Sequence, residues 1–173
     1  MQANDTSMGH FEVFRGIKDI KKLGQIVKFN NEIETDIWDG DECNKLRGTD
    51  STIFAPFHDT KDLLWAFGSD LCRSLAANYE KKSEYNGIPT AHYGIDLGDL
   101  KNEPDQQCFC RDPPDGCPLK GTLDMSPCVG FPLVVSKPHF YGTDAILLEK
   151  VDGLIPVKDQ HDIFLHIEMV FQL

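Results

Sequence analysis

The chain has 173 residues, 40% of them apolar and 10% aromatic, with 28 acidic against 17 basic side chains and a formal net charge of -11. That length suits one domain or a piece of one, the apolar content suffices for a core, and the acidic balance argues against a nucleic-acid partner, which needs a basic face. No apolar run approaches the about 18 residues that cross a bilayer, and the polar stretch from Met1 to His10 has no signal-peptide core.

Residues 1–10 read as a flexible or truncated end. Phe11 and Val13 share one face of a predicted strand that stops at Gly16. Ile17, Ile20, Leu23 and Val27 recur at three and four, which predicts a short amphipathic helix over 17–28, with Gly24 against it. Ile33 and Ile37 among acids predict a strand over 32–38, before a turn at Asp39-Gly40-Asp41. A short apolar strand is predicted over 52–57, stopped by Pro56. Asp59-Thr60-Lys61-Asp62 is a helix start, followed by Leu63, Leu64 and Phe67 up to Gly68. Over 70–79 periodicity does not choose between helix and strand. Gly87-Ile88-Pro89 breaks the chain, and His92 to Asp96 reads as a strand. Residues 101–118 form a turn-rich, cysteine-bearing loop. Residues 129–140 are strongly β, interrupted at Pro132 and Pro138, and 144–151 predict a short helix ended by Gly153 to Pro156. Last, Ile163, Leu165, Ile167 and Met169 alternate with Phe164, His166, Glu168 and Val170, the clearest period-two signal in the chain. Alternation makes Ile163, Leu165 and Ile167 the inward-facing candidates. The whole reads as an irregular, mainly β, antiparallel domain with a few short helices.

Six cysteines stand at 43, 72, 108, 110, 117 and 128. The last four are spaced C-x-C-x6-C-x10-C, a poor fit to the paired knuckles of structural zinc sites. The even count instead fits three disulfides in an oxidising compartment, and the sequon Asn4-Asp5-Thr6, which makes Asn4 a glycosylation candidate, agrees with that. Spacing leaves many connectivities open. A Cys108–Cys110 bridge would be strained, whereas the turn chemistry of Arg111-Asp112-Pro113-Pro114-Asp115-Gly116 can bring Cys110 and Cys117 together.

Catalytic and cofactor signatures are missing from the sequence. There is no nucleophile elbow, no zincin helix and no phosphate-binding glycine loop. Asp39-Gly40-Asp41-Glu42 lacks the glycine position and the closing Glu of a calcium loop, and reads as a solvated acidic turn. The six His are scattered, and His161 and His166 fall on opposite faces of a strand, so no metal pair is predicted. The expectation is no enzyme, no cofactor and no metal. The eleven Phe read as ordinary core rather than as a ligand pocket.

An ordered set of motifs resembles the class B scavenger receptor family. Cys43-Asn44, Gly48-Thr49-Asp50-Ser51 and Phe54-Ala55-Pro56-Phe57 resemble its C-N…G-T-D…F-P-P-F run, and Asp70-Leu71-Cys72-Arg73-Ser74 its D-[LI]-C-R-S signature. Cys108-Phe109-Cys110, Cys117-Pro118, Gly121-Thr122-Leu123-Asp124 and Cys128 resemble its cysteine-rich block. Pro138-His139-Phe140, Gly153-Leu154, His161 and Ile167-Glu168 resemble its closing motifs. Within the family, Phe14 to Asp19 and Leu23 to Val27 are most similar to insect sensory neuron membrane proteins. Ala55, where the family usually has Pro, and Glu168-Met169, without the expected Pro, depart from the pattern.

The resemblance implies that residues 11–173 are the later part of a receptor ectodomain on the extracellular side of the cell membrane. It implies an antiparallel β-barrel ectodomain with disulfide-stapled loops, held to the membrane by helices absent from this chain, and an apolar tunnel that carries lipids. It implies the bridges Cys43–Cys108, Cys72–Cys128 and Cys110–Cys117. The role it implies is transfer of fatty acids or fatty-acid-derived pheromones to an odorant receptor complex, and Ile163, Leu165 and Ile167 become tunnel candidates. The alternative is a general scavenger or phagocytic receptor for lipoprotein or apoptotic-cell ligands.

Overall fold

The computed structural model describes residues 9–169. Strands β1 (Phe11–Val13) and β2 (Ile26–Phe29) pair antiparallel with Phe11 opposite Phe29. The helix expected over 17–28 is absent. One 3₁₀ turn, Ile20–Lys22, is capped by the Asp19 side chain, and the chain then re-enters the ladder through mutual hydrogen bonds that link Phe14 to Gly24 and Gln25. Gly24 makes that return possible: its φ is +76°, and a Cβ there would lie 2.8 Å from Ile53 Cγ2. Ile17, 77% exposed, has no core to bury, so the apolar spacing stabilises no helix.

The strand expected over 32–38 is also replaced by turns, and Ile33 is 69% exposed. The segment is organised by a one-turn helix, α1 (Asp41–Asn44). The buried Asn44 carboxamide oxygen accepts from Thr35 Oγ1 and from the N–H groups of Ile37 and Trp38, at 2.9, 3.0 and 3.0 Å. Its NH2 donates to the carbonyls of Trp38 and Gly40 at 2.7 and 3.2 Å. Five hydrogen bonds to one side chain replace the ladder that a strand would have provided. Residues 52–57 form no strand either, although Phe54 and Ala55 are buried.

Where a helix was expected after Asp59, a single capped turn leads into β3 (Leu64–Gly68). Leu64 and Ala66 meet the main core, while Phe67 packs on Phe29 at 5.2 Å and Phe11 at 6.3 Å on the other face. A strand covered on both faces is continuously apolar, which is why its sequence has no period of two. The undecided stretch 70–79 resolves into a tight turn followed by the long strand β4 (Arg73–Tyr85). Asn86 and Gly87, with φ of 50° and 83°, form the two-residue turn into β5 (Ile88–Ile95). The expected break at 87–89 is therefore a hairpin tip.

β6 (Thr122–Asp124), α2 (Ser126–Val129) and β7 (Val134–Ser136) follow. The β segment expected over 129–140 shrinks to three residues, because Gly130 closes α2 in the left-handed region and Pro138 opens a 3₁₀ turn. Leu123 and Met125 are buried beside Leu97, forming a second, smaller core. Single-turn helices α3 (Ala145–Leu148) and α4 (Lys158–His161) lead to β8 (Phe164–Ile167), within the predicted terminal strand.

The main sheet runs in the order β3-β4-β5-β8, all antiparallel, and is curled. Its core is Phe54, Leu64, Ala77, Ala91, Tyr93 and Ile167. Thr49 bridges to the free edge of β3 and Gly48 accepts from Ile26, linking the small β1–β2 sheet to the large one. Among the described residues no strand pairs with the outer edge of β8, and the sheet is not a closed barrel.

Candidate functional site

Cross-strand register defines the two faces of the sheet. Tyr79 sits opposite Tyr93, which sits opposite Leu165; Lys82 sits opposite Ala91, which sits opposite Ile167. These rows continue the apolar core, with Tyr79 meeting Tyr93 edge-on at 5.8 Å. Tyr93 is 0% exposed and its hydroxyl has no hydrogen-bond partner among the described residues, and burial raises its phenol pKa above the ordinary value. At the hairpin end of the sheet lies a cleft of about 890 Å3, lined by Tyr79, Ile88, Pro89, Ala91 and Met169 with Lys82 and Glu168 as its charged groups. Its walls are mostly apolar, and its size falls in the range of small-molecule sites.

The pairing slips between Tyr79 and Lys81, so Glu80 is the extra residue of a β-bulge. Glu80 turns to the opposite face, where Lys158 Nζ donates to its carboxylate at 3.0 and 3.2 Å and His92 Nε2 lies 3.6 Å away. Gly94 leaves the room: a Cβ there would sit 2.7 Å from Glu80 Oε1. On this opposite face His92 stacks on Phe164 at 4.9 Å and meets His166 edge-on at 5.2 Å. Burial holds the His92 imidazole below its ordinary range despite the pull of Glu80. Among the described residues no cluster of three or more His, Cys, Asp or Glu could hold a metal ion.

The loops at the other end of β4 are stapled by Cys43–Cys108, Cys72–Cys128 and Cys110–Cys117. Between these bridges Arg73 is 2% exposed, its guanidinium lying 3.4 Å over the Phe109 ring and 5.8 Å from that of Trp38. Trp38 crosses Phe109 at 5.1 Å and donates Nε1–H to the Cys72 carbonyl at 2.6 Å. Burial, with no carboxylate paired to it among the described residues, pushes the Arg73 pKa down to about 10. A depression of about 620 Å3 on this side is mixed in character, lined by Glu42, Lys45, Arg47, Asp96 and Glu103 as well as Trp65. Glu42 is held charged by Lys45 and Arg47, and its pKa is lowered accordingly.

Asn4 lies outside the described residues. Of the tunnel candidates, Ile167 is buried in the core, Leu165 packs against it, and Ile163, just before β8, is 40% exposed. None of the three lines the cleft; Met169, one alternation further on, does. Tyr79, Lys82, Ile88, Pro89 and Ala91 were not singled out by sequence reading. Asn86-Gly87 between two extended runs was the available signal, since it marks the hairpin that carries all five.

The profile of the CD36 family matches residues 1–171. The chain is 56% identical to Sensory neuron membrane protein 1 of Anopheles gambiae over 96% of its own length and 30% of that protein's. It is 53% identical to the Aedes aegypti protein of the same name over 96% of the chain and 31% of the relative. The Apis mellifera relative is 42% identical over 90% of the chain and 30% of its own length. The chain thus spans about 30% of the length of these relatives. The profile runs across both the stapled loops and the curled sheet, and the chain belongs to the CD36 family.

Proposed function

We propose that this chain is the ligand-holding part of a cell-surface receptor, not an enzyme, and that the receptor takes up long-chain apolar molecules through an apolar tunnel. Fatty acids or fatty-acid-derived pheromones are the ligand class, and an odorant receptor complex in the same membrane is the recipient. The apolar cleft of Tyr79, Ile88, Pro89, Ala91 and Met169 carries this reading. An alkyl chain entering it gains roughly 0.8 kcal/mol for each buried CH2, which is enough to draw a lipid from a carrier.

Three observations support the rest. Three disulfides suit an oxidising, extracellular setting, in which Asn4 would carry a glycan. The outer edge of β8 can accept further strands, which would close a tunnel wall over Ile163 and extend the surface backed by Leu165 and Ile167. The relatives' printed name ties them to the membranes of sensory neurons. No helix among the described residues is long and apolar enough to cross a membrane; membrane attachment through helices outside this chain is part of the proposal. A general scavenger role for lipoprotein or apoptotic-cell ligands calls for a basic surface, and a charge of -11 weighs against it.

The test is equilibrium binding of a fluorescent long-chain fatty-acid analogue to the oxidised chain. Saturable binding that Ile88→Asp weakens at least about tenfold supports the proposal, since a charge at the mouth must be desolvated by the alkyl tail. Binding that does not saturate, or that ignores the substitution, refutes it.

A further inference from the structure

We infer that Lys82 sets which long-chain ligand the cleft prefers: its ammonium receives the carboxylate of an anionic amphipath whose tail lies along Tyr79, Ala91 and Met169. The inference rests on the lipid-binding reading above and deepens it from apolar molecules in general to those with an ionised head.

The first observation is the bulge. With regular alternation from Tyr79, Lys81 would share the cleft face and Lys82 would point away. The extra residue Glu80 interchanges them, so that Lys81 pairs with His92 on the far face while Lys82 sits opposite the core residue Ala91. Glu80 is held by Lys158 and accommodated by Gly94, so the cleft position of Lys82 depends on Glu80, Lys158 and Gly94. Re-aiming one side chain is what bulges beside functional sites do.

The second observation is charge. Several cations of the chain are neutralised by protein carboxylates: Lys158 by Glu80, Lys137 by Asp162, Lys45 and Arg47 by Glu42. Lys82 has no such partner among the described residues, although it lines a mostly apolar cleft in a chain of net charge -11. Glu168, which makes an interaction of its own, lines the same cleft at the end of β8. Exposed Glu84 follows Lys82 by two residues on that face, opposite Pro89. A carboxylate head therefore has one favourable place, at the Lys82 ammonium, with the hydroxyl residues Thr60 and Ser83 also in the lining. A neutral alcohol of the same length gains the apolar walls but not the ion pair.

The experiment compares dodecanoate with dodecanol, each displacing a fluorescent fatty-acid analogue from the oxidised full chain at neutral pH. Lys82→Gln should weaken dodecanoate about fivefold, the size of one solvent-accessible charge pair, and leave dodecanol unchanged. Lys81→Gln, the same charge change on the far face, should affect neither. Raising the ionic strength to about 1 M, where the screening length falls to about 3 Å, should erase the effect of Lys82→Gln. Equal losses for both ligands, or equal effects of Lys81→Gln and Lys82→Gln, overturn the assignment of Lys82 while leaving lipid binding intact. Absence of binding by either ligand to the unmodified chain overturns the cleft reading itself.

Discussion

His139 and His161 lie face to face, ring centroids 4.0 Å apart and planes within 11°. Each turns Nδ1 to a backbone amide: Ile155 N–H donates to His139 at 3.1 Å, and Val157 N–H donates to His161 at 2.9 Å. An Nδ1 that accepts must be unprotonated, so the His161 ring is neutral with its proton on Nε2. Together they pin the segment between α3 and α4, which the sequence reads only as a helix stop.

Acid should release that segment. Burial, and then the facing His139 ring, hold the His161 pKa below its ordinary value of 6.5. The unfolded chain therefore binds the proton more readily, and the stability this group contributes is present above about pH 6.5 and is lost as pH falls toward the folded-state value. Hydrogen exchange of the Ile155 and Val157 amides, corrected for intrinsic rates, should show protection falling selectively below about pH 6.5. His161→Gln should remove the pH dependence. Protection that is flat from neutral pH to pH 5 would contradict the pairing.

The Arg73–Phe109 stack should contribute measurably to stability. A desolvated guanidinium over an aromatic face is worth about 2 kcal/mol, and Arg73 is buried with its Nε unpartnered. A double-mutant cycle of Phe109→Leu and Arg73→Met, read by chemical denaturation of the oxidised chain, should give a coupling of at least about 1 kcal/mol. A coupling near zero would mean that the ring and the cation merely occupy the same space.

Asn44 is expected to be irreplaceable by its closest analogues. Asn44→Ala leaves the Ile37 and Trp38 amides without an acceptor, while Thr35 Oγ1 keeps the Asn44 main-chain carbonyl, a loss of about 3 kcal/mol for buried groups. Asn44→Asp keeps the acceptor but turns a carboxylate oxygen toward the Trp38 and Gly40 carbonyls. Both should lower the denaturation midpoint strongly; a shift within the ordinary surface range of about 0.5 kcal/mol for either would contradict the hub.

How much of this was legible in the sequence depended on how each element meets its neighbours. β8 was visible because Leu165 and Ile167 face the core while Phe164 and His166 face the histidine side, which preserves a period of two. The family was legible because its motifs are local strings, and the profile match over residues 1–171 agrees. Residues 17–28 misled because a three-and-four spacing over so short a span also arises where Gly24 folds the chain back. The outer half of β4, Glu80-Lys81-Lys82-Ser83-Glu84, carries no apolar signal, and its bulge breaks the alternation that might have marked a strand. The cleft was illegible for a different reason: its walls come from Thr60, from the β4–β5 hairpin and from Met169, segments joined only by sheet topology.

The most direct test of the account is to locate the ligand by methyl NMR of the oxidised chain during titration with a long-chain aliphatic alcohol. The methyl resonances of Ile88, Ala91 and Met169 should shift saturably and together, while those of Val134 and Ile155, which do not line the cleft, stay in place. Silence at Ile88, Ala91 and Met169, or equal shifts at all five residues, would contradict the claim that the hairpin cleft holds the alkyl chain.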